Sequence, residues 1–452
     1  RRFGSIDGIS KAGGWHEITP DELGDWLGQR DRAFDKFLAI GTKDNNNETT
    51  LFLNYSSGVK TQRDSWCVNP DRDALSDNMR SMINFYNAEL ERFNCAFPNI
   101  DRKSREAKIS GFVDTNTTKV SWSDGLKSEM IRNNNHDFDK SKITNYLYRP
   151  FTRQWLYYDR TYNERVYQMP RIFPMDGNTA NRIFSVTGNG AQNFTCLMSN
   201  VLTDIQMHFN GQCFPRYLYE PAEAGTLFAG RSIGIEQRDA LTDEGLGHFQ
   251  AAYPSEAITK DDLFYYVYGL LHSEEYRARY ADNLSKQLPR IPAVKKAADF
   301  WSFVEAGRKL GDLHCDYETA DPFPVTFVRG DTSLAAPSDP EAFYRVEQMK
   351  FAGKRPNLDK TTVIYNANVT ISGIPLEAYD YVVNGKPAIE WVIERQCLKT
   401  DKASGIVNDA NRYAIETVGD PAYPLKLLQR VITVSLETMK IVHNLPPLGD
   451  LT

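Results

Sequence analysis

Several things are scarce or missing in this 452-residue chain, and each absence narrows the field. Cysteine is sparse: Cys67, Cys95, Cys196, Cys213, Cys315 and Cys397 lie far apart, with no CxxC pair and no Cys/His cluster at metal-ligand spacing. That spacing argues against a disulfide framework or a zinc site and fits a reducing cytoplasm. No apolar run reaches the ~18 residues that a membrane-spanning helix requires, and neither a signal peptide nor a lipidation motif is present. Excess positive charge is missing too: 53 Lys and Arg stand against 59 Asp and Glu, a net −6, so only a local patch could serve a polyanion.

The motifs of catalysis are equally thin. A dinucleotide or methyl-donor loop needs glycines after a strand, and "VTGNGAQN" (Gly188, Gly190) has two with no helix pattern behind them, which reads better as a turn. "NGKP" puts proline where a phosphate-binding loop needs the Ser/Thr that holds magnesium. HExxH, GxSxG and the Asn-Pro-Pro-aromatic motif of adenine amino-methyltransferases are all absent. The seven histidines are scattered, and His208 and His314 read as core or surface residues before they read as bases. No catalytic site is visible.

What is present is material for packed domains: 41% hydrophobic, 25% charged and 12% aromatic residues, over a length that suggests two or three cores. Thr19, Pro20 and Glu22 have the form of a helix-starting capping box. "LFLNYSSGVKTQRDSWCV" gives two short strand-like runs about a Ser-Ser-Gly turn. Leu75, Met79, Met82, Tyr86, Leu90 and Phe93 recur at helical steps. Short aromatic and β-branched runs from about 143 to 220 predict a β-rich domain, and capped helical patterns follow at Thr259 and Ser273. Residues 322–394 are strand-rich again, with a short "AIEWVIERQ" helix before a last helix carrying Leu425, Leu428, Ile432, Leu436 and Met439. The expected fold is mixed α+β.

"NYLYRPFTRQWLYYDR" (Asn145–Arg160) crowds three arginines among six aromatic residues. Over 142–182 the basic residues Lys142, Arg149, Arg153, Arg160, Arg165, Arg171 and Arg182 face Asp159, Glu164 and Asp176, seven against three, a local +4. Arginine forks suit phosphate and guanine edges, while Gln and Asn suit adenine edges. Lys60, Gln62 and Arg63 in "SSGVKTQRD" and Asn189, Gln192 and Asn193 in "TGNGAQN" would extend such a surface. The same residues also read as a core strand pair, with arginines snorkelling or pairing with Asp159 and Glu164, and as ordinary polar turns.

"SSGVKTQRDSW", with its Gly-Val-x-Thr-x-x-Asp string, resembles the segment that follows the methyltransferase core in adenine-specific restriction-modification enzymes. "LYRPFTRQWLYYD", "FPRYLYE", "ITKDDLFYYVYGLLHSEEYRARYADNLSKQLPRIP" and "GIPLEAYDYVVNGKPAIEWVIERQ" are similar to the C-terminal specificity region of Type ISP (single-polypeptide Type I) enzymes, in order, from about Trp15 to Pro446. The resemblance implies a double-stranded DNA recognition module within a larger enzyme of nuclease, translocase and adenine-N6 methyltransferase parts. The chain begins "RRFGSIDG" without methionine and is expected to be a piece of such a protein. S-adenosylmethionine, ATP and magnesium would then be bound upstream, and none here. The expected partners are double-stranded DNA and the upstream methyltransferase domain, without a membrane.

The expected division is a methyltransferase tail and connector (1–130), a β-rich recognition part (131–255), a helical scaffold (256–320) and a strand-rich segment ending in a helix (321–452). Lys60, Arg63, Arg149, Arg153, Arg160, Arg165 and Arg171 are the candidate phosphate or base-edge contacts, and Gln62, Asn189, Gln192 and Asn193 the candidate readers. The alternative is an interdomain scaffold with no direct base readout.

Overall fold

In the computed structural model, residues 17–43, 48–175, 179–221, 235–333, 335–449 and 451 are described. The periodic run from Leu75 to Phe93 forms the helix Arg72–Ala96 and buries all six of its apolar side chains. Asp71 caps this helix: its carboxylate accepts from the amides of Asp73 and Ala74, donors that a helix start otherwise leaves unpaired. Helices Arg102–Phe112 and Asp124–Ile131 add Ile109, Leu126 and Met130 to the same core.

Two four-stranded sheets follow. One runs, in spatial order, Ser56–Ser57, Gln212–Pro215, Ile183–Val186, Cys196–Ser199, all antiparallel. The other runs Val68–Asn69, Thr152–Tyr157, Ile143–Arg149, Leu202–Thr203, with the last pair parallel. Ser56 and Ser57, expected in a turn, are therefore strand. Gly58 is needed for close approach: a Cβ there would come within 2.6 Å of the Asp204 carbonyl and the Ile205 nitrogen. The capping box at Thr19 starts no helix either. Asp21 accepts from the amides of Leu23 and Asp25 and closes a turn of its own, with Gly24 at φ +80°. Among the described residues the first helical turn is the 3-10 segment Arg32–Lys36, capped by Asp31.

Thr259 and Asp262 form a complete capping box on the helix Lys260–Leu270, which crosses the helix Ala297–Cys315. The crossing is so close that a Cβ on Gly307 would overlap the Tyr265 carbonyl, and one on Gly269 the Phe303 carbonyl. The helix expected after Ser273 divides at Tyr280 into Glu274–Arg279 and Ala281–Leu284. A third antiparallel sheet (Thr326–Arg329, Thr370–Ser372, Asn357–Ile364, Lys350–Lys354), a hairpin at Val382–Pro387 and helices Ala388–Arg395 and Tyr423–His443 complete the mixed α+β chain.

Two hydrophobic cores hold these elements. The larger draws on 34–315 together with Ile406 and Leu448, so the three segments expected at 1–130, 131–255 and 256–320 share one interior. The smaller gathers the C-terminal elements around Leu147, Phe151, Leu197 and Met207 of the β-rich part. Among the described residues no helix is long and apolar enough to cross a membrane.

Candidate nucleic-acid interface

The Asn145–Arg160 stretch is a strand pair, Ile143–Arg149 with Thr152–Tyr157, in the register Tyr146 to Gln154. Tyr146, Leu147, Phe151, Leu156 and Tyr157 enter the interior. Arg149 goes with them: it reaches Asp204 at 3.0 Å and Asp64 at 3.6 Å, and its guanidinium lies over the Tyr148 ring at 3.9 Å. Asp204 is buried and also takes the Tyr146 hydroxyl at 2.7 Å, yet burial still pushes its carboxyl up to about 6 against the pull of Arg149. Arg153 points the other way, to Glu318 at 3.1 Å, Asn200 at 2.9 Å and the Cys315 carbonyl at 3.0 Å.

These contacts correct the count that made the window basic. Lys142 pairs with Asp159 at 2.5 Å, Arg165 with Glu164 at 3.3 Å, Arg182 with Asp312 at 2.6 Å, and Arg171 with Glu220, which also takes Arg238 at 2.8 Å. Among the described residues, Arg160 is the member of the seven with no acidic partner. Asp64, Asp204, Glu220, Asp312, Asp316 and Glu318 lie outside 142–182, so a sum over neighbouring residues could not register them.

Arg63 is internal as well, 3% exposed, donating to the Tyr162 carbonyl at 2.9 Å and the Ser123 hydroxyl at 2.5 Å. The whole Gly-Val-x-Thr-x-x-Asp string is structural here. Val59 bridges to Asp204, the Thr61 hydroxyl binds the Asp64 carboxylate, and Asp64 accepts from Tyr148 at 3.0 Å. Arg63, Arg149 and Arg153 are thus each engaged by partners within the fold.

Of the other candidates, Lys60, Gln62, Arg160 and Arg165 lie together. Lys60 and Arg165 exchange backbone hydrogen bonds (2.9 and 3.0 Å), which places exposed Gln62, Arg160 and Arg165 on one edge with Arg132 beside them. Arg165 is 60% exposed in its side chain and pairs with Glu164, whose side chain is 9% exposed. Backbone pairing runs from here through the buried strand Ser56–Ser57, paired to Gln212–Cys213, and from the Gly58 amide to Gly211, toward separate loops holding exposed Asn189, Gln192, Asn193, Phe209 and Asn210. Arg171 lies apart, with Glu220.

Sequence reasoning passed over Tyr167, Phe209, Asn210 and Asn384 on this rim. Gln62, Tyr167, Asn210 and Asn384 all hold left-handed backbone (φ +56°, +48°, +48° and +50°), an uncommon choice for residues with side chains and one that gathers at functional surfaces. Asn210-Gly211 and Asn384-Gly385 both carry a readable signal, the Asn-Gly pair of a tight turn.

His208 and His314 are core residues. Burial pushes each imidazole down to about 3; His208 meets Ser185 at 3.2 Å, and His314 joins Tyr268 at 2.6 Å to Thr438 at 2.9 Å.

The family model described as the Type ISP C-terminal specificity domain matches residues 50–427. The chain belongs to that family. Three solved structures share the fold of this specificity domain. They are a nuclease-deletion mutant of the Type ISP restriction-modification enzyme LlaGI in complex with a DNA substrate mimic (35% identity, TM-score 0.79), the ATP-dependent Type ISP enzyme LlaBIII bound to DNA (32%, 0.81), and a DrdV–DNA complex (28%, 0.78). They align with 97%, 100% and 98% of this chain, whereas it spans 36%, 26% and 41% of theirs. A comparison with curated proteins finds no match. The block "SSGVKTQRDSW" and the helical and hairpin blocks at 258–292 and 373–396 fall inside the matched region, so the framework that carried the resemblance is the framework of the two cores.

Proposed function

We propose that this specificity domain recognises a double-stranded DNA target for a restriction-modification enzyme. The observation that carries the reading is the family match, joined to three structural relatives that are each DNA complexes. Arg160, Arg165 and Lys60 contact phosphate and set register; Gln62, Asn189, Gln192 and Asn193 present amides to base edges in the major groove. On this reading adenine methylation from S-adenosylmethionine, and ATP- and magnesium-dependent translocation and cleavage, are performed by other parts of a longer cytoplasmic polypeptide. This chain packs on its methyltransferase part, and an adenine is flipped into that part's pocket.

Retention of random duplexes by the chain at two salt concentrations, with sequencing of the retained DNA, tests the proposal. A salt-sensitive, enriched motif is expected. Equal retention at both salts, or no motif, would leave the second reading, an interdomain scaffold. That reading draws on the exposed apolar side chains Leu23, Trp26 and Leu27 (49%, 61% and 75% exposed).

A further inference from the structure

The hairpin Val382–Val383/Lys386–Pro387 turns through Asn384 (φ +50°) and Gly385 (φ +76°), the pair of left-handed residues that a type I′ turn requires. Such a turn asks nothing of the asparagine side chain, and here that side chain is used elsewhere. Its Oδ1 accepts from the Phe209 amide at 3.1 Å, its Nδ2 donates to the Gln206 carbonyl at 3.3 Å, and its backbone amide donates to the Thr195 hydroxyl at 3.1 Å. Thr195 closes the 188–194 loop, its carbonyl accepting from the Thr187 amide at 3.1 Å. Phe209 in turn accepts from the Gly188 amide at 2.7 Å. One residue of the C-terminal segment therefore ties together two loops that lie some 175 and 189 positions away in sequence.

Between them these loops expose Asn189, Gln192 and Asn193 and, unusually for a residue bonded through both its amide and its carbonyl, the ring of Phe209, at 44%. Three amides and an apolar ring on a fixed backbone match the chemistry of an A·T pair in the major groove, where amides meet the adenine edge and an apolar group meets the thymine methyl. A reading surface discriminates only as well as its geometry is held.

We infer that Asn384 is a positioning residue for base readout, a pin through which the C-terminal segment sets the two reading loops without touching DNA itself. The inference rests on the DNA-recognition proposal above. Asn384→Gly keeps the left-handed turn and removes the side chain; Asn384→Asp keeps an acceptor for the Phe209 amide. In the full chain, N384G is expected to lower hydrogen-exchange protection of the Phe209 amide roughly tenfold, the effect of losing one hydrogen bond. The thermal midpoint and the salt dependence of duplex binding should stay unchanged, while the selected DNA motif loses preference at one or two positions. N384D is expected to restore protection at Phe209. Unchanged protection in N384G, or lost protection with an unchanged motif, overturns the inference and leaves DNA recognition standing. An unsubstituted chain that retains no duplex at low salt overturns DNA recognition, and this inference with it.

Discussion

Replacing Arg149 with methionine separates a structural arginine from a DNA-contacting one. In the folded chain Asp204 is 4% exposed, held by Arg149 at 3.0 Å, Tyr146 at 2.7 Å and the Gln206 amide at 2.6 Å. Even so its carboxyl sits at about 6, against about 3.9 for a free aspartate, a burden of about 3 kcal/mol at neutral pH. Removing the guanidinium leaves a buried carboxylate without its cation, for which about 3–5 kcal/mol of lost stability is the usual size. A carboxyl whose folded pKa lies above its unfolded one takes up a proton on folding. The penalty is thus full above the folded pKa and fades as pH falls through it. Arg149→Met should therefore lose about 3–5 kcal/mol in chemical denaturation at pH 7.5 and markedly less at pH 5, where a neutral Asp204 keeps its bonds to Tyr146 and Gln206. An Arg149→Met chain of native stability whose DNA binding had a salt slope lower by about one unit would refute this account and return Arg149 to the phosphate.

Arg160→Ala, by contrast, should leave the denaturation midpoint unchanged and lower the salt slope by about one unit without altering the selected motif. Alanine at Asn189, Gln192 or Asn193 should relax preference at a single position by roughly 1–3 kcal/mol, read by competition between duplexes differing at one base pair. Gly307→Ala should cost several kcal/mol or prevent folding, because its Cβ would meet the Tyr265 carbonyl, and soluble yield with circular dichroism checks it. His208, held neutral far below its unfolded pKa near 6.5, lends stability above pH 6.5. This is lost at about 1.4 kcal/mol per pH unit as pH falls toward 3, so His208→Gln should flatten the acid limb by one proton.

Much of the architecture was legible where a local rule and a buried face agreed. The helix bearing Leu75 to Phe93, the helix starting at Thr259 and the last helix all followed from spacing. Thr19–Pro20 misled because Asp21 offers its carboxylate to nearby amides and wins the competition for them. Ser56-Ser57-Gly58 misled because glycine there answers a crowded neighbour in another sheet. The arginines of 142–182 were the largest difficulty. Their composition was visible, but whether a guanidinium faces water depends on carboxylates such as Asp204 and Glu318, whose proximity only the tertiary fold creates. Tyr167 had no sequence signal, since left-handed backbone in a residue with a side chain is imposed by its surroundings, whereas Asn210-Gly211 was an Asn-Gly turn pair passed over.

The shared interior of residues 34–315 has a consequence for how target preference can change. With no seam between connector, sheets and helices, exchanging whole blocks between relatives would cut through packed side chains and strand arginines without their carboxylates. Substitution at the exposed loop positions Asn189, Gln192, Asn193, Phe209 and Asn210 leaves the buried members of both cores in place. Diversification of this family, whether by natural drift or in the laboratory, should therefore proceed by rewriting loops on a constant frame, with the hairpin at 382–387 revised alongside them.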